Sequence, residues 1–160
     1  MLNALTLQPA SDADLAALVA GQAPPPLLVP PGGIESADTL AMLRNLAAGI
    51  RPGFAPAAWL LVAAGEIVGL LSLVKPPAEG VLHIGYGIAP ARRLLGHARA
   101  AMRALCNWAR DDARVLGISA ETNIDNLPSQ KVLTANGFAV CGERHDDEDG
   151  AMLIWHRPAG

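Results

Sequence analysis

The stretch Tyr86–Met102, YGIAPARRLLGHARAAM, joins the end of an apolar strand to a helix without the Ser, Thr, Asp or Asn that usually opens one. A helix starting near Leu94 leaves its first amide N–H groups without intrahelical partners and carries partial positive charge. An anion is the expected cap. Within the stretch, Arg93-Leu94-Leu95-Gly96-His97-Ala98 fits [Q/R]-x-x-G-x-[G/A], a spacing suited to a pyrophosphate. Gly96 lets the backbone approach a ligand, Ala98 keeps the first turn small, successive N–H groups form an anion cradle, and the arginines add charge at its rim. The alternative is an ordinary helix-start glycine beside a solvated arginine face, and these six residues alone do not choose between the two. Gly85-x-Gly87 superficially begins a dinucleotide fingerprint, but Pro90 stands where the third glycine belongs and no acidic residue follows at the right distance.

Outward from this junction the chain reads as a succession of short elements. Upstream, LNALTLQ is a strand, Ser11 opens the helix SDADLAALVAG with Gly21 as its stop, and residues 22–33, QAPPPLLVPPGG, are a proline-rich loop. A second helix from Ser36 to about Ile50 carries Leu40, Leu43, Leu46 and Ala47 on one stripe. AAWLLVA and IVGLLSLV form a hairpin about Ala64-Gly65-Glu66, PPAEG makes the next turn, and VLHIGYGIA is the third strand of the meander. Downstream come a helix from about Leu94 to Arg114, the strand VLGISAE, a helix from about Leu127 to Asn136, and two strands, GFAVCGERH and AMLIWHR, around the turn DDEDG. Gly137 is expected to end its helix in a left-handed turn, with Phe138 entering the core.

The order β-α-α-β-β-β-α-β-α-β-β predicts an α/β (α+β) fold. Its sheet is mixed and mostly antiparallel, of about seven strands, covered by about four helices. The strand ending at Ala89 should run parallel to the one starting near Val115 through a right-handed crossover, and ligands bind at strand ends of that kind. At 160 residues, with no repeat or composition shift, the whole chain, 1–160, is expected to be a single domain.

Net charge is −3, and the twelve Lys and Arg form no continuous run, so no nucleic-acid partner is indicated. No apolar run reaches the roughly 20 residues that span a bilayer, and the N-terminus lacks the basic start and cleavage site of a signal peptide. The expected setting is the cytoplasm, with no membrane partner. Cys106 and Cys141 lie in apolar company and read as buried, inert thiols. His83, His97, His145 and His156 show no i, i+4 pair and no matching carboxylate cluster, so no metal site is expected.

A second constellation follows in ISAETNIDNLPSQKVLTANGF: Ala120, Glu121, Thr122, Asn126, Ser129, Gly137 and Phe138. Asn126 is a good N-cap and Ser129 lies at the third helical position, so both can satisfy helix N–H groups or face a ligand. Together with the first motif, this resembles the GNAT superfamily of acyl-CoA-dependent N-acetyltransferases over roughly residues 57–157. The likeness is greatest to the branch that acetylates ribosomal-protein N-termini. The resemblance implies the acyl-CoA N-acyltransferase fold, with a splayed central parallel pair of strands, and acetyl-CoA as cosubstrate with no metal.

It also implies that Gly87, Ile88 and Ala89 line the cofactor on the splayed strand, and that Arg93, Leu94, Leu95, Gly96, His97 and Ala98 hold the pyrophosphate. Asn126 and Ser129 would lie near the pantetheine arm and Lys131 near a phosphate; Lys131 reads equally well as an exposed helix residue. Gly85 and Gly87 weaken an interior strand and mark a bulge or close approach.

For chemistry, the Ile88 N–H is the expected oxyanion donor. His83, where related enzymes often carry a glutamate, is a candidate base with a pKa near 6.5. A purely structural strand histidine is the alternative. Glu121 is the second candidate, and a water chain could replace both. Many members of the family place a tyrosine seven residues after the equivalent of Asn126; here that position is Leu133, which removes the usual proton donor. Tyr86 reads as packing.

The acceptor would be a primary amine on a small molecule or protein N-terminus, attacking directly in a ternary complex. The family holds it with the two N-terminal helices and the last hairpin, here the proline-rich loop and Asp146-Asp147-Glu148-Asp149, whose carboxylates attract cations over about 8 Å or are simply solvated. A non-catalytic acyl-CoA sensor or scaffold is the alternative function. Dimers are common in the family, and the apolar strand AMLIW reads as an edge available for a homodimer.

Overall fold

The structure is a computed structural model that describes residues 4–160. Ser11 opens α1 (Asp12–Val19) with a reciprocal capping box: Asp14 N donates to Ser11 Oγ at 3.1 Å, and Ser11 N donates to Asp14 Oδ2 at 3.0 Å. Ser36 caps α2 (Ala37–Ile50) by a single bond, accepting Thr39 N on its Oγ at 3.2 Å, and Arg44 of α2 grips Asp12 of α1 through two 2.9 Å hydrogen bonds. These two helices follow β1 (Thr6–Pro9), the part of LNALTLQ that forms a strand within the described residues.

The antiparallel meander is β2 (Ala58–Ala63), β3 (Glu66–Ala78) and β4 (Val81–Ile88). It turns at Ala64-Gly65, both with positive φ, and at Glu79-Gly80. Strand β3 therefore runs through Lys75-Pro76-Pro77, where the sequence reading placed a turn. Proline cannot donate to a ladder. The strand absorbs both prolines at the register shift between Lys75 and Ala78, just after another shift between Leu73 and Lys75.

Next come α3 (His97–Arg110), β5 (Gly117–Asn123), α4 (Leu127–Ala135), β6 (Ala139–Asp146) and β7 (Gly150–Pro158). Sheet order is β1-β2-β3-β4-β5-β7-β6, antiparallel except for β4 and β5. Strand β7, which contains AMLIW, lies between β5 and β6 and is not an edge; β6 is the edge. Cys106 is buried, as expected, but Cys141 is exposed, at a bulge of that edge strand between Val140 and Gly142. Gly137 has φ 82° and Phe138 is buried, as the C-terminal signal of α4 predicts.

Directly opposed residues share a sheet face, so Trp59, Leu71 and Tyr86 point the same way. Trp59 meets Trp108 of α3 with ring centroids 5.2 Å apart, and Tyr86 meets Ser129 of α4, so this is the α3/α4 face. Met102, Leu105 and Ala109 of α3 are fully buried here, one stripe of an amphipathic helix. Leu70, Ser72, Gly85 and Gly87 point to the other face, under α2. The sheet is thus the middle layer of three.

Candidate active site

Strand β4 pairs with β5 only from Val81↔Gly117 to Ile84↔Ala120. Beyond that it stays on β3 as far as Gly69↔Ile88, while β5 stays on β7 as far as Asn123↔Met152. The two central strands part at Gly85. Ala89 N donates to Val68 O at 2.8 Å, and amides along an antiparallel strand alternate in direction. The N–H groups of Tyr86 and Ile88 therefore point away from β3, into the opening. Ile88 was the expected oxyanion donor, and its amide has the required direction.

The chain leaves β4 through a 3-10 turn, Pro90–Arg92, and α3 starts at His97, three residues later than expected from the sequence. Leu94 and Gly96 both adopt the left-handed conformation, at φ 65° and 82°, which no helix can include. Gly96 is the N-cap and no side chain caps the helix. The first amides of α3 remain available, and a Cβ on Gly96 would meet nothing within 4 Å, so the approach to them is open. The free amides of this helix start, with no side chain in their way, fit a diphosphate.

The two arginines hold the loop in place. Arg92 makes a bidentate pair with Glu66 at 2.6 and 3.1 Å, and Arg93 Nε donates back to Ile88 O at 3.3 Å. Leu94 is fully exposed and Leu95 largely so. His97 and Gly96 also border a cavity of about 910 Å³ on the flank of α3 that faces Glu66 and Val68 of β3, with Arg99 and Arg103 on its wall.

Across the opening, Asn126 Oδ1 accepts from Ser129 N at 3.2 Å and caps α4. The Ser129 hydroxyl lies 2.6 Å from the phenol of Tyr86. Tyr86, read from the sequence as packing, is the polar bridge between the parted strand and α4. Burial raises its pKa, against a smaller opposing effect of the Ser129 hydrogen bond, so the phenol stays protonated near neutrality. Leu133 is fully buried in the core. Lys131 lies on another flank of α4, beside Gln130, Thr134 and Trp155, and the structure does not bring it to the opening.

His83 sits on the paired part of β4, opposite Ser119, and shares a face with Glu121. Its pKa is lowered, first by burial and then by Lys75, with Glu121 pulling the other way. Glu121 is held by Arg144 at 2.5 Å, and Arg144 also reaches Asp146 at 3.2 Å. Asp146 in turn accepts the Glu148 and Asp149 amides at 2.8 and 2.9 Å, so the acidic turn uses this carboxylate to close itself. Among the described residues no group of three or more His, Cys, Asp or Glu could hold a metal, and no helix is long and apolar enough to cross a membrane.

The sequence reading missed two features of this site. One is the contact between Tyr86 and Ser129, which are 43 residues apart. The other is Glu35, a lone loop carboxylate whose Oε1 would lie 3.5 Å from a Cβ on Gly87. No local signal marks either one.

Comparison with known proteins agrees with this geometry. Residues 4–139 match the family model described as acetyltransferase (GNAT) domain. An uncharacterized N-acetyltransferase, YjdG of Bacillus subtilis (strain 168), is 36% identical over 85 residues, 51% of this chain and 51% of that protein. The chain thus matches about half the length of this curated relative. Among solved structures, RimL, a ribosomal L7/L12 alpha-N-protein acetyltransferase in complex with coenzyme A, has a TM-score of 0.72 at 18% identity, over 97% of this chain and 94% of its own. An acetyltransferase of the GNAT family from Bacillus anthracis has a TM-score of 0.68 at 16% identity, over 99% and 97%. At these identities the structures speak for the fold, while the family model spans most of the residues. The parted strands and the open helix start thus belong to a member of the GNAT acetyltransferase family.

Proposed function

We propose that the chain is an N-acetyltransferase that moves the acetyl group of acetyl-CoA to a primary amine, small molecule or protein N-terminus, in a ternary complex. The observation that carries this reading is the opening at Gly85, with the Ile88 amide directed into it and the uncapped start of α3 at its end. When bound, acetyl-CoA supplies an activated acyl thioester. The amides from Leu94 to Ala98 hold its diphosphate, and Gly87, Ile88 and Ala89 line its arm. The Ile88 N–H stabilises negative charge on the carbonyl oxygen as an amine attacks.

The Ser129 hydroxyl, kept in place by Tyr86, is the donor positioned to meet a departing thiolate, and this supports turnover despite the apolar Leu133. His83, neutral at pH 7 because its pKa is lowered, takes the amine proton through solvent. Glu121, tied to Arg144, acts on that path as a charge beside His83. A non-catalytic acyl-CoA sensor is the second reading, favoured by the burial of Leu133.

Thiol release from acetyl-CoA across a panel of amines and peptides separates the two. Turnover is expected, with an acid limb in kcat/KM below pH 6.5 that disappears in His83→Gln along with ~100-fold of the rate. Coenzyme A binding with no thiol release across the panel supports the sensor. The same low pKa links to stability. The neutral form is favoured in the folded state, so the contribution is present above pH 6.5 and is lost as pH falls through the folded value.

A further inference from the structure

We infer that the cavity under α2 is an acceptor subsite for a primary ammonium carried on a compact apolar group, with Glu35 as its anionic anchor. The inference rests on the acyl-transfer reading and adds the class of amine.

The cavity has a volume of about 170 Å³ and lies on the face of the sheet opposite the α3/α4 crevice. Its walls are Thr39 and Leu43 of α2 and Leu70, Ser72 and Val74 of β3, and its floor is the parted strand at Gly85 and Gly87. The floor has no side chains where they would block it. A Cβ on Gly87 would stand 3.5 Å from Glu35 Oε1, filling the space between that carboxylate and the strand, and one on Gly85 would press on Val74 Cγ1 at 3.3 Å. Glycine at both positions keeps the floor of the cavity bare along the part of β4 that has left β5.

Charge places the amine. Glu121 and Asp146 are taken by Arg144, and Asp12 by Arg44. Glu35, by contrast, makes no hydrogen bond or ion pair among the described residues, and its carboxylate lies against Gly87, the residue before Ile88 on β4. His83 is five residues from Ile88, roughly 16 Å at the rise of an extended chain. The group that meets the incoming ammonium is therefore Glu35, while His83 takes its proton through solvent.

Size sets the rest of the acceptor. An apolar cavity of roughly 150 Å³ takes a benzene-sized molecule, whereas drug-sized ligands fill roughly 300–1,000 Å³. This cavity therefore accommodates a branched group of about four to six carbons beside the ammonium. A ring of an aminoglycoside or the second charge of a polyamine would be left against Leu43, Leu70 and Val74 without a partner.

The test is titration of isobutylammonium chloride, followed by ligand-observed NMR, into the protein alone and into the protein saturated with coenzyme A. Wild type is expected to bind it. Glu35→Gln should weaken binding ~10-fold by removing a charge-assisted hydrogen bond. Val74→Phe, at an exposed position on the cavity wall, should weaken it at least as much by occlusion. Both should leave the dissociation constant of coenzyme A unchanged. Absence of isobutylammonium binding to wild type, equal binding to Glu35→Gln, or displacement by spermidine or kanamycin at equal or lower concentration overturns the assignment. Failure of coenzyme A to bind would instead strike the acyl-transfer reading, which the amine titration on the protein alone does not require.

Discussion

Two helix starts in this chain solve the same problem in opposite ways. At α1, Ser11 and Asp14 satisfy each other's amides, and the helix end is closed by its own side chains. At α3, no side chain returns, and the residues before the helix are turned left-handed so that its first amides stay accessible. The loop is nevertheless fixed by two adjacent arginines, Arg92 on Glu66 and Arg93 on Ile88 O. A capped end is a stability device. An uncapped end held rigidly in place gives up that stability to keep donors for a ligand, because unsatisfied N–H groups at a fixed position favour an anion.

The largest effect expected from this contrast comes from placing a charge in the open end. Gly96→Asp sets a carboxylate beside the amides that would hold a diphosphate. At φ 82° its side chain is not oriented as an ordinary N-cap, so it adds repulsion without closing the helix. The dissociation constant of coenzyme A, measured by calorimetry, should rise about 100-fold, or ~2.7 kcal/mol. A change under threefold would mean that the diphosphate does not lie against this helix start.

The closed end predicts the converse. Ser11→Ala removes the acceptor of Asp14 N and should cost ~1 kcal/mol of stability, a fall of about 3 °C in Tm for a domain of this size. Coenzyme A affinity should not move, since Ser11 lies in the layer on the other side of the sheet from the crevice. Loss of affinity in Ser11→Ala would show that the two ends are coupled, and the contrast would fail.

The contrast also separates what could be read from the sequence from what could not. Capped ends, the glycine turn at Gly137 and the stripe of α2 are local signals, and with the strand and turn patterns they give every element in order. The fold class followed from that order. The start of α3 was misplaced because Leu94 looks like a helix residue, and only the backbone reveals its left-handed φ. Pro76 and Pro77 looked like a turn because register shifts in β3 have no sequence marker. AMLIW looked like an edge because strand order across the β5–β7–β6 end is a long-range property. At the opening, Gly85 and Gly87 mark in the sequence a strand that weakens, and β4 leaves β5 at Gly85. The Tyr86–Ser129 bridge, the Arg92–Glu66 anchor and Glu35 depend on contacts across 26 to 43 residues or on a cavity wall contributed by separate elements.

The smallest effect probes the conformation that keeps α3 open. Among the described residues, three non-glycine residues have positive φ: Ala64 and Glu79 at hairpin turns, and Leu94 in the loop before α3. The first two belong to tight connections between paired strands, where neighbouring ladders enforce the turn. Leu94 has no ladder on its C-terminal side, and its side chain is fully exposed, so packing does not offset the left-handed cost of roughly 1–2 kcal/mol. Leu94→Gly removes that cost but adds backbone entropy to the unfolded chain, roughly 0.5–1 kcal/mol in the other direction. The net gain should be about 0.5 kcal/mol, a rise of one to two degrees in Tm. Coenzyme A binding should weaken by no more than about threefold, as the loop loses some of its preset shape. A fall in Tm would mean that the leucine side chain secures the loop through a contact of its own, and the strain at Leu94 would then not be the device that holds the helix start open.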